Sequence, residues 1–382
     1  MPPTIDFQTG MIMIFAMILL YLFVGTAKNH YDIAFGHQAA VVAGLGFGIS
    51  TLLQLNQGEG LQNVVEFNDN LFFYFCLPPL VFSSGYNMQR KKFFENFTNI
   101  MLFGVFGTIT TFLIFGGLSL WLLSASKKAG EEDPENYLLW QVSGATGETT
   151  PLLLSEMECL LMCALLCSTD VIAAISMVNY DEQPKLYSLL FGEGVVNDAV
   201  AIILFNSVKK FADQPINAGT TFQILGDFIM LSIFSLLIGA GYGILSTCML
   251  KWFRALARDA VNECILLFSF GYMCYVTAES LSQSGIIALL TCGVTMAHYA
   301  WYNLSPQGRQ GSALIFQFMG NAVQGFIFAY LGLTFFAYSN FQWSSSLFGY
   351  ELIIVIIGRF GGTLGLIKSL ELCCKYKSGV RW

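Results

Sequence analysis

Two carboxylates and a carboxamide lie inside one apolar stretch of this sequence. Residues 191–200 read FGEGVVNDAV and contain Glu193, Asn197 and Asp198. The preceding apolar run carries a second polar group, Ser168-Thr169-Asp170. An ionised carboxylate at the centre of a bilayer costs about 2.5–3.5 kcal/mol on insertion scales, so acids in such runs generally handle an ion or a proton.

These residue types suit the binding of a small alkali cation. Carboxylate, hydroxyl and backbone oxygens replace the water that such a cation sheds, and a proton competes for the same carboxylate. A short connection through Pro184 joins the two apolar runs as antiparallel neighbours, which lets Asp170 and Asp198 face one cavity. The pattern predicts an ion-coupled transporter. For Glu193 a purely structural role stays open, because Arg359 lies inside another predicted span and could pair with it.

Eleven apolar segments must position these residues. Of the 382 residues, 55% are hydrophobic and 11% are charged, which leaves too little polar surface for a soluble globule of this size. We therefore expect an all-α polytopic membrane protein with one integral domain over residues 1–382. The predicted spans lie at about 11–27, 33–53, 70–86, 97–124, 158–179, 186–208, 222–250, 262–279, 284–300, 312–338 and 347–368.

The charged residues outside the spans predict an orientation. Thirteen of the 18 Lys and Arg residues fall on one side of the predicted membrane and four on the other, while Arg359 lies within the last span. By the positive-inside rule the N-terminus faces the lumen or the outside, and the C-terminus faces the cytosol. Residues 125–157 are predicted to form an acidic extramembrane loop, and no soluble regulatory tail is expected. The net charge of -7 argues against a nucleic-acid partner.

Other residues with reactive side chains are assigned to packing. Cys159, Cys163 and Cys167 share one helical face without a partnering His or Asp, so packing is favoured over a metal site. His37 and His298 lie near helix ends, where a packing or interfacial role is favoured over a proton relay. No cofactor is expected, and no metal other than a transported alkali cation.

The third predicted span contains Pro78 and Pro79, which remove two backbone donors from the helix. Such a sequence should kink or break the helix. Within a membrane this is tolerated only where protein or water donates to the freed carbonyl groups.

Together these strings resemble the sodium/proton exchangers, the eukaryotic branch of the monovalent cation/proton antiporters. Ser168-Thr169-Asp170 matches the fifth-helix motif of that family and FGEGVVNDAV its sixth-helix motif. Residues 284–286, 326–328, 331–332 and 358–359 follow in family order and spacing, and 297–305 looks most like the organellar exchangers. The string FFYFCLPPLVF is similar to a double-proline segment associated with amiloride-type inhibitors, and its residues of interest are Phe72, Phe73, Leu77, Pro78, Pro79 and Phe82.

The resemblance implies an inverted-repeat antiporter fold that exchanges Na⁺ or K⁺ for H⁺ by alternating access, and no enzymatic activity. Asp198 would be the main carrier of cation and proton, with Asn197 as its polar neighbour and Asp170 and Thr169 as helpers. Glu193 and Arg359 would form a structural ion pair. The resemblance also implies a lipid bilayer, with an endosomal or vacuolar membrane favoured over the plasma membrane, and a homodimer or a place in a larger membrane assembly.

Three departures from the family pattern support an alternative. Val171 stands where the family has a proline after the fifth-helix Asp, and Gln324 stands where an acid is expected in the tenth helix. The second broken helix of the family and one further span are not found before Trp382, so the second repeat is expected to be incomplete. The alternative is therefore an antiporter-like structural subunit of a larger membrane complex that does not transport. A channel is least favoured, because no filter motif is visible.

Overall fold

The computed structural model describes residues 7–31, 38–57, 72–88, 90–133, 137–143, 148–168, 178, 183–211, 218–255, 259–334 and 342–374. These residues are mostly helical. The α-helices are α1 (Phe7–Tyr31), α2 (Gln38–Gln57), α3 (Leu77–Tyr86), α4 (Arg90–Glu95), α5 (Phe97–Met101), α6 (Thr108–Glu132), α7 (Glu156–Leu166), α8 (Pro184–Lys210), α9 (Ala218–Trp252), α10 (Ala260–Ser280), α11 (Gly285–Tyr299), α12 (Pro306–Leu333) and α13 (Ser345–Cys374). Two π-helical segments, Phe72–Cys76 and Leu102–Gly107, precede α3 and α6, and a 3₁₀ turn, Ala300–Tyr302, follows α11.

Each of the eleven predicted spans contains helix, so the chain has the expected polytopic α-helical architecture. Within the described ranges, six helical stretches are long and apolar enough to cross a bilayer, and two shorter apolar helices accompany them. The six are Phe97–Glu131, Phe222–Trp252, Ala260–Ser280, Gly285–Tyr302, Pro306–Leu333 and Ser345–Gly365, and the two shorter ones are Phe15–Ala27 and Gln38–Leu52.

The described helices pack as two bundles. In the first, called the scaffold bundle, α11 packs against α3, α9 and α10, while α12 packs against α1, α2, α3 and α10. In the second, called the site bundle, α8 packs against α7 and the Leu102–Gly107 segment, and α6 packs against α7 and α13. The bundles meet mainly where α8 lies beside α9. The apolar helices of the chain are thus divided between two packing units.

Close backbone contacts hold the scaffold bundle together. A Cβ atom added at Gly85 of α3 would lie 2.8 Å from the carbonyl oxygen of Leu290 in α11. Because that neighbour is backbone rather than a flexible side chain, only glycine allows the two helices to lie this close. Small residues serve this purpose in membranes, where helix association depends on packing and hydrogen bonds rather than on apolar burial.

Two strands of a small antiparallel sheet lie in the part of the chain predicted to be an extramembrane loop, residues 125–157, and the third precedes α13. Its strand order is β2-β1-β3, with β1 at Trp140–Ser143, β2 at Thr149–Pro151 and β3 at Gln342–Trp343. The backbone N–H of Trp140 also donates to the hydroxyl of Ser346, 3.0 Å away, at the start of α13. The sheet therefore ties the connection between α6 and α7 to the site bundle. Its strands are too short to show a two-residue periodicity in the sequence.

Candidate ion site

The helix α8 carries the motif FGEGVVNDAV in its middle. It begins with Pro184, which suits a first turn because the N–H that proline lacks is not needed there. It ends with Lys209 and Lys210, whose positive charges suit the negative end of the helix dipole. Successive residues of an α-helix point about 100° apart, so Asn197 and Asp198, which are adjacent in the motif, face different surroundings. Asn197 is buried, with 1% of its surface exposed, whereas Asp198 is exposed.

Asp198 lines a cavity between the two bundles. The cavity has a volume of about 910 Å³. Its walls come from Ser168, Asp198 and Lys209 of the site bundle and from Phe73, Tyr275 and Glu279 beside or within the scaffold bundle, among others. The carboxylate of Asp198 accepts a hydrogen bond from the hydroxyl of Ser168. A carboxylate and a hydroxyl thus meet at a surface that small ions can reach.

The helix preceding this site ends close to Asp198. A capping box starts α7: Glu158 N donates to Ser155 Oγ at 3.2 Å, and Ser155 N donates to Glu158 Oε2 at 2.8 Å. The helix ends at Leu166, so Ser168 already lies beyond its last turn. Val171, which stands where the family has a proline, lies outside the described residues. The helix end lies before that position, and it therefore does not depend on a proline there.

Two of the predicted site residues, Thr169 and Asp170, lie outside the described residues. Their proposed place beside Asp198 stays a prediction. Their chain neighbour Ser168 is described, and its hydroxyl is the group that contacts Asp198. The sequence had given Ser168 no role of its own.

Arg359 binds the end of α7. Its guanidinium Nη2 donates to the carbonyl oxygen of Cys167 and, at 3.4 Å, to that of Leu166. Terminal carbonyls of a helix lack partners within the helix and carry partial negative charge, so a guanidinium is a suitable donor. Glu193 is half-buried and lies close enough for its charge to interact with that of Arg359. Among the described residues, the hydrogen bonds of Arg359 go to these carbonyls rather than to Glu193, and the ion pair stays a prediction.

Asn197 faces the irregular part of the site bundle. Its side-chain Oδ1 lies 2.7 Å from the hydroxyl oxygen of Thr108, the first residue of α6. The helix α8 lies very near this segment, since a Cβ atom at Gly104 would lie 2.7 Å from a methyl group of Val196. The π-helical turn thus allows the two helices to approach at the motif, and π-helical turns are frequent at functional sites.

The double-proline segment divides between the cavity and the scaffold. Phe72, Phe73 and Leu77 line the cavity. Pro78, Pro79 and Phe82 are buried, and the ring of Phe82 packs edge-on against Phe316 with centroids 4.8 Å apart. Three of the six residues of interest in the inhibitor-type segment thus line the same cavity as Asp198.

The chain stays helical through the prolines and changes there from π to α geometry. The carbonyl oxygens that lose their donors lie four to five residues earlier. Tyr275 Oη donates to the carbonyl of Phe73 at 2.8 Å, and Tyr272 Oη donates to that of Tyr74 at 3.0 Å. Two tyrosines of α10 therefore supply the donors that Pro78 and Pro79 were predicted to make necessary.

Three further acids lie within predicted spans but carried no predicted role: Glu263, Glu279 and Glu351. Glu279 lines the cavity and accepts a hydrogen bond from Gly285 N at 3.0 Å. Glu263 is fully buried and accepts from both the N–H and the hydroxyl of Ser305, at 2.9 and 2.7 Å. Glu351 is 7% exposed, and neither carboxylate oxygen has a hydrogen-bond partner among the described residues. A lone acid in an apolar run was the signal for all three.

Comparison with known proteins identifies relatives over most of the chain. The family model for the sodium/hydrogen exchanger transmembrane region matches residues 14–381. Sodium/hydrogen exchanger 1 of Arabidopsis thaliana is 34% identical over 296 residues, which is 77% of this chain and 50% of that protein. The endosomal/prevacuolar sodium/hydrogen exchanger of Saccharomyces cerevisiae is 30% identical over 343 residues, which is 90% of this chain and 51% of that protein. The chain spans about half the length of these relatives.

A solved structure has the same fold. The sodium proton antiporter MjNhaP1 from Methanocaldococcus jannaschii matches with a TM-score of 0.64 at 16% sequence identity. The match covers 95% of this chain and 79% of that chain. At this identity the likeness concerns the fold alone, and it agrees with the antiporter architecture expected from the sequence.

Proposed function

Because this chain belongs to the sodium/hydrogen exchanger family, we propose that it exchanges a monovalent cation, Na⁺ or K⁺, for a proton across a membrane. The observation that carries the proposal is the position of Asp198. Its carboxylate lies on a cavity between two helix bundles and accepts a hydrogen bond from Ser168. This placement gives a cation access to a charged oxygen that also binds protons.

The carboxylate of Asp198 holds either a cation or a proton. When a cation arrives through the cavity, it displaces the proton because both need the same oxygen atoms. The hydroxyl of Ser168, which already contacts this carboxylate, is a suitable further ligand for a cation that has shed water. One carboxylate that alternates between the two ions gives an electroneutral exchange of one for one. Asp170 and Thr169 are proposed as helpers at the same site.

The division into two bundles supports alternating access. In the proposed orientation, the cavity residues Phe72, Lys209 and Glu279 lie at the lumenal ends of their helices. On the cytosolic side of Asp198, an apolar cluster of Met88, Phe93 and Ile100 with Val195, Val196 and Val294 fills the space between the bundles. A movement of the site bundle against the scaffold bundle would transfer this seal to the other side. We assign this structure to the lumen-facing state.

Arg359 and Glu193 are proposed to stabilise the site bundle. Arg359 holds the terminal carbonyls of α7 in place, and Glu193 supplies a nearby negative charge. The placement of Arg359 on α13 therefore fixes the chain just before Ser168. This role differs from ion binding, and it explains why a guanidinium is retained inside the bundle.

An organellar membrane is the proposed location, with the C-terminus in the cytosol. The yeast relative is named as an endosomal/prevacuolar exchanger, which supports an endosomal or vacuolar membrane. A homodimer is proposed from the family alone.

Reconstitution into liposomes tests the function. Acid-loaded vesicles with an internal pH dye receive pulses of Na⁺ and K⁺ on the outside. We expect the parent protein to dissipate the pH gradient and Asp198→Asn to leave it intact. Asp227→Asn is the matched control, because Asp227 pairs with Lys210 and is not among the residues that line the cavity. A gradient that survives both cations with the parent protein would instead support the structural subunit.

A further inference from the structure

A carboxyl group, a hydroxyl and two thiols lie together inside the site bundle, away from the ion site. Glu351 of α13, Ser119 of α6, and Cys159 and Cys163 of α7 are all buried. The hydroxyl and both thiols lie close enough to the carboxyl group of Glu351 to interact with it. None of the four is among the residues that line the cavity of Asp198. The cluster is therefore separate from the proposed path of the cation.

The carboxyl oxygens of Glu351 have no hydrogen-bond partner among the described residues. The hydroxyl oxygen of Ser119 is likewise buried and without a hydrogen bond in this part of the chain. Other hydroxyls of α6 donate to carbonyls of their own helix, as those of Thr110 and Thr111 do at 2.7 and 2.8 Å. The hydroxyl of Ser119 is therefore available to a group on another helix, and the carboxyl group of Glu351 is such a group.

No positive charge compensates Glu351 in the part of the chain that the structure describes. Arg359 lies about 12 Å further along the axis of α13, and its guanidinium binds carbonyls at the end of α7. Lys127 and Lys128 of α6 are exposed. The first turn of α13, where the helix dipole favours a negative charge, ends before Glu351. An ionised carboxylate here would lack both a cation and hydrogen bonds, whereas a protonated carboxyl group carries no charge.

A proton fits this cluster better than a metal ion or an alkali cation does. Within the described ranges, no group of three His, Cys, Asp or Glu side chains is placed to hold a metal ion. An alkali cation that has shed its water needs several oxygen ligands, and thiols are poor substitutes for them. The cluster supplies one carboxyl group and one hydroxyl. A proton needs a single carboxyl oxygen, and the resulting O–H group can donate to Ser119.

We propose that Glu351 binds a proton and keeps it throughout the exchange cycle, as a neutral carboxylic acid that donates a hydrogen bond to Ser119. The site bundle thus has two proton-binding carboxyl groups with different roles. A cation can reach Asp198 through the cavity and displace its proton, whereas the proton of Glu351 is enclosed and joins α13 to α6. The protonation of Glu351 does not depend on the proposed function, but the retention of its proton during exchange rests on it.

Infrared spectroscopy of the purified protein in lipid tests the protonation. A protonated carboxyl group has a C=O band that a carboxylate lacks. At neutral pH, subtraction of the spectrum of Glu351→Gln from that of the parent should leave the C=O band of one protonated carboxyl group. Glu351→Leu provides the same subtraction if the glutamine variant does not fold. Carboxylate bands in place of the C=O band would overturn the proposal.

Glu263→Gln is the matched control. Glu263 is also a fully buried glutamate, but its carboxylate accepts hydrogen bonds from the N–H and the hydroxyl of Ser305. Hydrogen bonds donated to a carboxylate favour its ionised form. The subtraction for this variant should therefore leave carboxylate bands. A protonated band of equal size from both variants would contradict the argument from missing partners.

Ser119→Ala tests the partner of the proton. Without the hydroxyl the carboxyl group of Glu351 makes a weaker hydrogen bond, so its C=O band, isolated by the same subtraction in this background, should move to higher frequency. Ser124→Ala is the control on the same helix, because the hydroxyl of Ser124 donates to the carbonyl of Trp121 at 2.8 Å, and it should leave the band in place. A band that does not move in Ser119→Ala would overturn the assignment of Ser119.

Proton release separates this inference from the proposed function. On addition of Na⁺ or K⁺, Glu351→Gln should release as many protons as the parent, because only Asp198 exchanges its proton. A smaller release would show that the proton of Glu351 exchanges with the cation, and its retention would be refuted. A parent that releases no proton contradicts the proposed function, whereas the infrared result still decides whether Glu351 is protonated.

Discussion

The two tyrosines that bind the double-proline segment permit a quantitative prediction. Tyr275→Phe and Tyr272→Phe each remove one hydroxyl and leave one backbone carbonyl, of Phe73 or Tyr74, without its protein donor. A hydrogen bond of this kind contributes about 1 kcal/mol net, and a carbonyl left without water costs about 1–3 kcal/mol. Because Phe73 and Tyr74 line the cavity, water in the cavity can donate to their carbonyls and offset part of the lost stability. We expect the free energy of unfolding of the double variant to be about 2 kcal/mol lower than that of the parent.

The measurement is thermal unfolding of the purified protein in lipid nanodiscs. The entropy of unfolding is about 2.1 cal/mol/K per residue, which is about 0.8 kcal/mol/K for 382 residues, so about 2 kcal/mol lowers the melting temperature by about 2–3 °C. Each single variant should lie between the parent and the double variant. Tyr302→Phe is the control, because Tyr302 is 74% exposed, and its melting temperature should match that of the parent. A double variant that melts with the parent would show that the freed carbonyls need no donor from the protein, and the reasoning about the prolines would be wrong.

Two further pairs of variants test the packing. Gly85→Ala should lower the melting temperature by several degrees and reduce the amount of folded protein, because its Cβ would meet the Leu290 carbonyl at 2.8 Å, whereas Gly44→Ala, with nothing within 4 Å, should be neutral. Equal effects would refute the close contact of α3 and α11. Glu351→Gln should leave the melting temperature unchanged or raise it, since the carboxylate of Glu351 has no hydrogen-bond partner in the part of the chain that the structure describes. Glu263→Gln should lower it by disturbing the bonds from Ser305. A melting temperature that falls in Glu351→Gln alone would contradict this ranking.

The membrane spans were predictable because the thickness of the bilayer sets the length of a spanning helix, and apolar segments of that length can be recognised in the sequence. Which helices form each bundle was not predictable, because faces that meet lipid and faces that meet protein are both apolar. Within one short segment, Phe75 is 66% exposed and Phe82 is 4% exposed, although both are phenylalanines in an apolar run. Sequence spacing along a helix cannot tell these surroundings apart.

The chemistry of the site was predictable in part. Asp198 followed from the cost of an acid in an apolar run, and the structure places it on a cavity. The contact between Asn197 and Thr108 joins residues 89 positions apart, and many threonines lie in apolar runs, so nothing in the sequence distinguished this one. The donors for the double-proline carbonyls come from a helix about 200 residues further on, at Tyr272 and Tyr275. The prolines in the sequence indicate that some carbonyls need hydrogen-bond donors, but they do not indicate which residues provide them.

The central claim is that one carboxylate, that of Asp198, exchanges a proton for a cation. Its most direct test is the proton release that follows addition of Na⁺ or K⁺ to purified protein in weakly buffered solution. A cation that displaces a bound proton should release about one proton per chain from the parent and from Asp227→Asn. Asp198→Asn should release none. Equal release from Asp198→Asn and the parent would contradict the claim, as would a parent that releases no proton with either cation.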